Sequence, residues 1–90
     1  LLVKVKTDIV SDGTDVLLND TGSPYMSKGG AGDTLAGIAG ALLARGIDTM
    51  NAAAGAAYIN GKAGELAAKK CGESLVATDI IDAIPEVINI

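Results

Sequence analysis

Apolar and polar residues alternate over residues 1–20, in the way expected for β-strands. Leu1, Val3 and Val5 fall on one strand face, and the lysines at positions 4 and 6 fall on the other. The segments DIVSD and TDVLLN follow on either side of Gly13. An Asp-Gly pair between two such segments is typical of a hairpin turn, because glycine readily adopts a positive φ.

A loop rich in glycine and proline follows the strands and extends to Gly32. Beyond this loop, apolar residues recur at helical spacing instead of alternating. We expect the first helix to run from about Asp33 to Arg45, because Gly46 then lies where helices often end in a left-handed residue.

The same spacing predicts two further helices. The second should begin with Asp48 or Thr49 as its N-cap and reach about Lys70, and its glycines indicate close packing against another backbone. Thr78 should cap the third helix, which Pro85 should kink or shorten. Strands in 1–20, a loop in 20–32 and helices in 33–90 together predict one α/β unit.

The composition indicates that this unit is incomplete by itself. Hydrophobic residues make up 49% of the 90 residues, but alanine supplies much of that share and only two residues, both tyrosine, are aromatic. Small side chains fill the hydrophobic core of a single chain poorly. We therefore expect the chain to pack against a missing segment or against further copies in a homo-oligomer. The chain also begins in a strand pattern without Met, which suggests a fragment or a processed chain.

Charge and cysteine content argue against several classes of partner. The net charge is −4 without any histidine, and an acidic chain with no basic stripe is not typical of nucleic-acid binding. No apolar run reaches the roughly 20 residues that a membrane helix needs, and nothing resembles a secretory signal. The single cysteine, Cys71, cannot form an intramolecular disulfide or a Cys-rich metal site. We therefore expect a cytoplasmic protein with no membrane partner and assign no residue to a metal.

One segment, SKGGAGDTLAG at residues 27–37, carries recognisable chemistry because a glycine-rich loop runs directly into a helix. Glycines let backbone N–H groups turn toward one point, and the first helical turn adds free N–H groups and a partial positive charge. The segment therefore predicts a phosphate site, beside which the carboxylate of Asp33 suits a general base. The alternative is a plain strand-to-helix turn in which Asp33 only caps the helix.

Two common phosphate-binding motifs do not fit this loop. A P-loop requires a lysine and then a hydroxyl residue after its last glycine, but Asp33 and Thr34 follow Gly32 here. The dinucleotide motif GxGxxG requires a glycine three residues after Gly32, where the chain has Leu35. The loop therefore belongs to another class of phosphate site.

The stretch GGAGDTLAG resembles the GxGD anion-hole motif of the ribokinase-like superfamily. The longer segment 19–70, with its Asn-x-Thr-Gly loop and alanine-rich helix, is similar to the ADP/ATP-dependent NAD(P)H-hydrate dehydratases. Leu35 stands where ribokinase-type sugar kinases usually carry an aromatic residue, which favours the dehydratase branch. Ala31, in contrast, is common in the sugar kinases, whereas the dehydratases prefer threonine.

This resemblance implies both a fold and a reaction. Residues 1–90 would form the C-terminal part of a ribokinase-like domain, and the missing N-terminal half would supply the remaining sheet and most substrate contacts. The family uses ATP or ADP to phosphorylate the hydroxyl of hydrated NADH or NADPH, and elimination of phosphate then restores the nicotinamide. The residues leave open which nucleotide is preferred and whether Mg²⁺ bridges its phosphates.

The resemblance also assigns roles to the residues of the loop. Asp33 would contact the substrate hydroxyl and act as the catalytic base, while the backbone of Gly30, Ala31 and Gly32 would form the anion hole. Gly32 would also contact the nucleotide.

A second nucleotide-contacting segment precedes the hairpin in this family and typically reads Leu-Lys-Gly-x-x-Thr. Its place is taken here by Lys4, Val5, Lys6, Thr7 and Asp8, with Val5 where the family usually has glycine. The alternative for the two lysines is a solvated strand face.

Two other functions remain open at this point. The first is a small-molecule kinase on the same fold, acting on a carbohydrate, a thiazole or a hydroxymethylpyrimidine. The second is an inactive fragment whose helices only mediate assembly. Asn19 and Thr21 likewise have two interpretations, because they would shape either an Asx turn or the nucleotide loop.

Overall fold

A computed structural model of the chain describes residues 2–3, 8–27 and 30–88. That part forms three short strands followed by three α-helices. The elements are β1 (Leu2–Val3), β2 (Asp8–Ser11), β3 (Val16–Asn19), α1 (Ala31–Ala44), α2 (Thr49–Cys71) and α3 (Ala77–Ile88). Short 3₁₀ turns lie at Pro24–Ser27 and Gly72–Ser74. The predicted order of strands before helices is confirmed.

The strands form an antiparallel sheet in the order β1-β2-β3. The predicted hairpin is present between β2 and β3, with Ile9 opposite Leu18. Its turn contains the residues 12–15, in which Oδ1 of Asp12 accepts bonds from the N–H groups of Thr14 (2.9 Å) and Asp15 (2.7 Å). Gly13 adopts a φ of 93°, which explains the glycine after Asp12.

The two faces of this sheet have different surroundings. Val10 pairs with Leu17, so their side chains share the face that packs toward α2, and Val10 is only 2% exposed. Ile9, Val16 and Leu18 share the opposite face, where Val16 and Leu18 are 61% and 69% exposed. The described residues therefore leave one apolar face of the sheet uncovered.

The long helix α2 is the centre of the helical layer. It packs against both α1 and α3, mainly through alanines. One core cluster, between α2 and α3, contains the fully buried Leu75 and Ile80. A second joins Leu35 of α1 to small residues of α2. No helix in the described part of the chain is both long and apolar enough to cross a membrane.

Two glycines of α2 bring neighbouring segments onto the helix backbone. A Cβ on Gly61 would lie 2.7 Å from the carbonyl carbon of Thr21, and one on Gly64 would lie 2.7 Å from Cγ of Met26. Real Cβ atoms do not approach other atoms so closely. Gly61 therefore requires glycine, because it faces the backbone of Thr21, whereas a side chain at Gly64 would require the side chain of Met26 to move. The prediction that the glycines of α2 mark close packing is confirmed at these two positions.

Several predicted helix boundaries need correction. The helix α1 begins at Ala31 instead of Asp33, because Gly30 takes the N-cap position. The first residue of α3 is Ala77, so Thr78 lies inside that helix, and Oδ2 of Asp79 accepts the bond from the N–H of Val76 at 2.8 Å. Pro85 does not end α3, which continues to Ile88.

The start of α2 resolves the choice between two predicted N-caps. Asp48 is the N-cap, and its Oδ1 accepts a bond of 3.0 Å from the N–H of Asn51. The pKa of Asp48 is lowered, mainly by the hydrogen bond from the backbone N–H of Asn51 and to a smaller extent by the bond from the Asn51 side chain. The carboxylate of Asp48 thus satisfies one of the free amides at the start of the helix.

Candidate functional site

The candidate site lies where the glycine-rich loop enters α1. Gly30 caps this helix with φ 101° and ψ −19°, a backbone conformation that side-chain-bearing residues rarely adopt. A Cβ on Gly30 would also lie 2.6 Å from Cβ of Ala77, the first residue of α3. Glycine is therefore needed here both for backbone conformation and for the contact with α3.

The first turn of α1 directs its amides away from the helix. Ala31, Gly32 and Asp33 come too early in the helix for their N–H groups to have intrahelical acceptors. Gly30 offers no side-chain cap, and a Cβ on Gly32 would meet no atom within 4 Å. The start of α1 thus combines amides that have no acceptor within the helix with the positive end of the helix dipole, and this combination favours an anion.

The carbonyl groups of the same turn are held inside the protein. The O atom of Gly30 accepts two bonds of 3.0 Å, one from the N–H of Thr34 and one from its hydroxyl. The O atom of Ala31 accepts a bond of 3.4 Å from Nδ2 of Asn60, which reaches it from α2. The orientation of the first two peptides of α1 is therefore fixed from the inner side.

Asn60 is the functional-site residue that sequence reasoning missed. It is 1% exposed, and Oδ1 has no hydrogen-bond partner among the described residues. Buried side-chain amides usually pair both of their polar atoms, so an unpaired buried oxygen is unusual. The available signal was a polar residue on the buried alanine face of α2, between Ala56 and Ala63.

The Asn-x-Thr-Gly segment before the loop is tied to α2. Nδ2 of Asn19 donates to the carbonyl O of Ala57 at 3.2 Å. The hydroxyl of Thr21 donates to Oδ1 of Asn19 at 3.0 Å and lies 3.4 Å from the carbonyl O of Tyr58. These bonds to α2 show that Asn19 and Thr21 hold the loop against the helix, beyond any local turn that they form.

Asp33 projects from the same open end of α1. It lies in the first turn and is exposed to solvent. A carboxylate at this position is within the short range over which the helix dipole acts, and it is accessible to a ligand bound at the amides. Gly30, Ala31, Gly32 and Asp33 lie next to one another at the start of α1, and their roles as anion hole and catalytic base stay a prediction.

Most of the predicted nucleotide-contacting segment, residues 4–8, is not among the residues that the structure describes. Lys4, Val5, Lys6 and Thr7 lie outside the described residues. The backbone of Asp8 belongs to β2 and pairs with Asn19. The predicted nucleotide contact through this segment is therefore still a prediction.

Comparison with known proteins identifies the family. A carbohydrate-kinase-type family model, described as NAD(P)H-hydrate dehydratase, matches residues 1–86. The chain belongs to the NAD(P)H-hydrate dehydratase family. The resemblance noted from the sequence is confirmed by this match.

Individual members of the dehydratase family are similar over nearly the whole chain. The bifunctional NAD(P)H-hydrate repair enzyme Nnr of Hyperthermus butylicus is 52% identical over 89 residues, which are 99% of this chain and 17% of that protein. The ADP-dependent (S)-NAD(P)H-hydrate dehydratase of Cenarchaeum symbiosum is 48% identical over 89 residues, 99% of this chain and 31% of that protein. The corresponding enzyme of Haloterrigena turkmenica is 47% identical over 82 residues, 91% of this chain and 32% of that protein. The chain thus spans at most about a third of these relatives.

The geometry of Gly30 leads to a stability prediction. Gly30→Ala should destabilise the protein by about 2–6 kcal/mol, because backbone strain of about 1–3 kcal/mol adds to a similar cost of overpacking against Ala77. Adding Ala77→Gly should recover only the packing part. Gly32→Ala is the matched control, since open space surrounds that position. Chemical denaturation of the four proteins tests this, and equal stability of Gly30→Ala and Gly32→Ala would contradict it.

Proposed function

We propose that the complete protein containing this chain is an ADP- or ATP-dependent NAD(P)H-hydrate dehydratase. The observation that carries the proposal is the glycine-capped start of α1, whose first turn has amides without intrahelical acceptors and the exposed carboxylate of Asp33. Membership in the dehydratase family supports the choice of substrate, and relatives named ADP-dependent support the choice of phosphoryl donor.

In this proposal the amides hold the phosphate that is transferred. The backbone N–H groups of Ala31 and Gly32, with the loop at Gly30, neutralise charge on the transferred phosphoryl group. Asp33 accepts the proton of the substrate hydroxyl. The hydroxyl oxygen then forms a bond to the transferred phosphorus, while the bond from that phosphorus to the leaving nucleotide breaks. The C–O bond of the phosphorylated intermediate then breaks, phosphate leaves, and a ring proton is lost as the nicotinamide double bond re-forms.

The nucleotide contacts complete the proposed site. Gly32 belongs to both the anion hole and the nucleotide site, because a phosphate held by its amide is part of the nucleotide. The segment 4–8 would supply the remaining contacts that the family resemblance implies.

A bound magnesium ion would need side chains that could hold it. Among the residues that the structure describes, no three His, Cys, Asp or Glu side chains come close enough to hold a metal ion. Mg²⁺ at a phosphoryl-transfer site usually binds through one or two carboxylates and the substrate phosphates, so the exposed Asp33 would be a ligand available in this part of the chain. No step in the proposed reaction is routed through a metal.

The chain would form the C-terminal part of a ribokinase-like domain. Its uncovered sheet face, formed by Ile9, Val16 and Leu18, is apolar, and β3 ends the described sheet. The exposed side of α1 is also apolar, including Leu43 at 45% exposure. Because relatives are about three to six times longer, the missing N-terminal half of the same protein is the proposed partner of these surfaces. A homo-oligomer would cover any surface that remains.

One observation favours a second enzyme activity. Ala31 is the residue common in sugar kinases of this fold, so a kinase acting on a carbohydrate, a thiazole or a hydroxymethylpyrimidine is the alternative. The two reactions differ in their products, since a kinase leaves a stable phosphorylated compound.

Product analysis of the complete protein tests the proposal. With hydrated NADH and ADP or ATP, we expect regenerated NADH and free phosphate. Asp33→Asn should lower turnover by about 10²–10⁴-fold, because it removes the proton acceptor without changing shape. Its nucleotide affinity should change little.

Asp82→Asn is the control for this experiment, because Asp82 is exposed on α3. It should leave turnover unchanged. Near-normal turnover by Asp33→Asn would show that Asp33 only caps α1, and a stable phosphorylated product would favour the kinase.

The exposed apolar surfaces predict how the isolated chain behaves. Purified alone, the 90-residue chain should associate at micromolar concentration and show no measurable dehydratase activity. Co-expression with the remaining part of the protein should give a stoichiometric complex and restore activity. Light scattering measures the first result, and a cooperatively folded monomer would contradict it. An inactive complex would instead support the role in assembly alone.

A further inference from the structure

The anion-binding turn at the start of α1 depends on a side chain from another helix. We propose that Asn60 is a positioning residue, whose hydrogen bond to the carbonyl of Ala31 fixes and polarises the Gly32 amide that holds the phosphate. This inference rests on the proposed function, since the phosphate is the group transferred in that reaction. Asn60 itself does not contact the phosphate in this proposal.

The argument begins with the geometry of one peptide bond. The carbonyl of Ala31 and the N–H of Gly32 belong to the same planar unit, and the described chain contains no cis peptide bonds. In a trans peptide these two groups point in opposite directions. Within α1 the carbonyl O of Ala31 also lies in the series of intrahelical bonds, so Asn60 is an additional donor to it. A second donor that holds this carbonyl from inside the protein also holds the Gly32 N–H in its direction at the start of the helix.

The preceding peptide is held in the same way by a local contact. The carbonyl O of Gly30 accepts bonds from both the N–H and the hydroxyl of Thr34, at 3.0 Å each. That carbonyl shares its peptide with the N–H of Ala31. Two successive peptides thus each have a side chain that donates to the carbonyl oxygen, while their amides have no acceptor within the helix. The two donors differ in their origin. Thr34 lies four residues after Gly30 in the same helix, whereas Asn60 belongs to α2 and is 29 residues from Ala31.

A hydrogen bond at the carbonyl also strengthens the amide as a donor. Chains of hydrogen bonds polarise one another in the low-dielectric interior. Asn60 is 1% exposed, so water does not weaken its bond to the O atom of Ala31. The Gly32 N–H should therefore be a better donor to phosphate than it would be with the intrahelical bond to the carbonyl of Ala31 alone.

The position of Asn60 favours this role over simple filling of space. Its neighbours on the buried face of α2 are alanines and glycines, and these include Ala57, Gly61 and Gly64. An apolar residue would satisfy packing without leaving a buried oxygen unpaired. The polar amide is explained if its donor atom is needed at Ala31.

The first test reads the amide directly and does not depend on turnover. In the complete protein labelled with ¹⁵N-glycine, Asn60→Leu should shift the Gly32 amide resonance, because the shared peptide loses its polarising bond. The resonances of Gly37 and Gly40 farther along α1 should stay in place. Asn51→Leu is the matched control, since Asn51 is an exposed asparagine at the start of the same helix. An unchanged Gly32 resonance in Asn60→Leu would overturn the proposal.

The second test measures turnover. Asn60→Leu should lower kcat by roughly 10-fold, less than the roughly 10²–10³-fold loss for removing a donor that touches the transition state. KM for the nucleotide should change less than kcat, and Asn51→Leu should match the unmodified protein. Equal kcat values for Asn60→Leu and Asn51→Leu would refute the positioning role while leaving the dehydratase proposal intact. An unmodified protein without dehydratase activity would instead refute the proposed function, and the amide resonance would then decide the positioning role alone.

A third variant covers the case in which Asn60→Leu does not fold. Asn60→Asp keeps the shape, and its carboxyl group can donate to the O atom of Ala31 only when it is protonated. Because burial favours the protonated form, the ratio of variant to unmodified kcat should rise as the pH is lowered. A ratio that stays flat across the pH range in which both proteins are folded would contradict a role for the donated hydrogen bond.

Discussion

The packing of neighbouring segments directly on the backbone of α2 is the contact on which the rest of the structure depends. Gly61 and Gly64 lack side chains at the points where Thr21 and Met26 cross the helix, and a Cβ at either glycine would overlap them. The close approach of the segment at Thr21 accompanies the bond from Asn19 to a carbonyl of α2, and a side chain of α2 also reaches the first turn of α1. Larger residues on this face would separate the loop from the helix and remove those bonds.

This packing explains how the start of α1 comes to offer amides to a ligand. Backbone polar groups that are buried must be paired, and in this turn the carbonyls of Gly30 and Ala31 are paired on the inner side. Gly30 packs against Ala77, so α3 closes the third side of the turn. The outer side of the turn carries Gly32 and Asp33, which are both exposed to solvent. The site is therefore a consequence of how three helices meet, in addition to the glycine-rich loop itself.

Local features of the site were predictable from the sequence, whereas tertiary contacts were not. The hairpin at Asp12-Gly13, the glycine-rich entry to α1 and the carboxylate of Asp33 follow from short-range backbone chemistry. The start of α1 was misplaced by two residues, because the sequence does not show which glycine of the loop takes the N-cap position that Gly30 occupies. Asn60 could not be assigned, since its partner is 29 residues away and helical spacing shows only that it is buried. The nucleotide segment before the hairpin rests on family resemblance alone.

A structure of the complete protein with ADP bound would test the central claim most directly. The account predicts a phosphate with oxygens about 2.7–3.2 Å from the amide nitrogens of Ala31 and Gly32, the range of ordinary hydrogen bonds. It also predicts the carboxylate of Asp33 on the side of that phosphate where the substrate hydroxyl would lie. A nucleotide whose phosphates bind elsewhere, with the amides at the start of α1 still facing solvent, would contradict it.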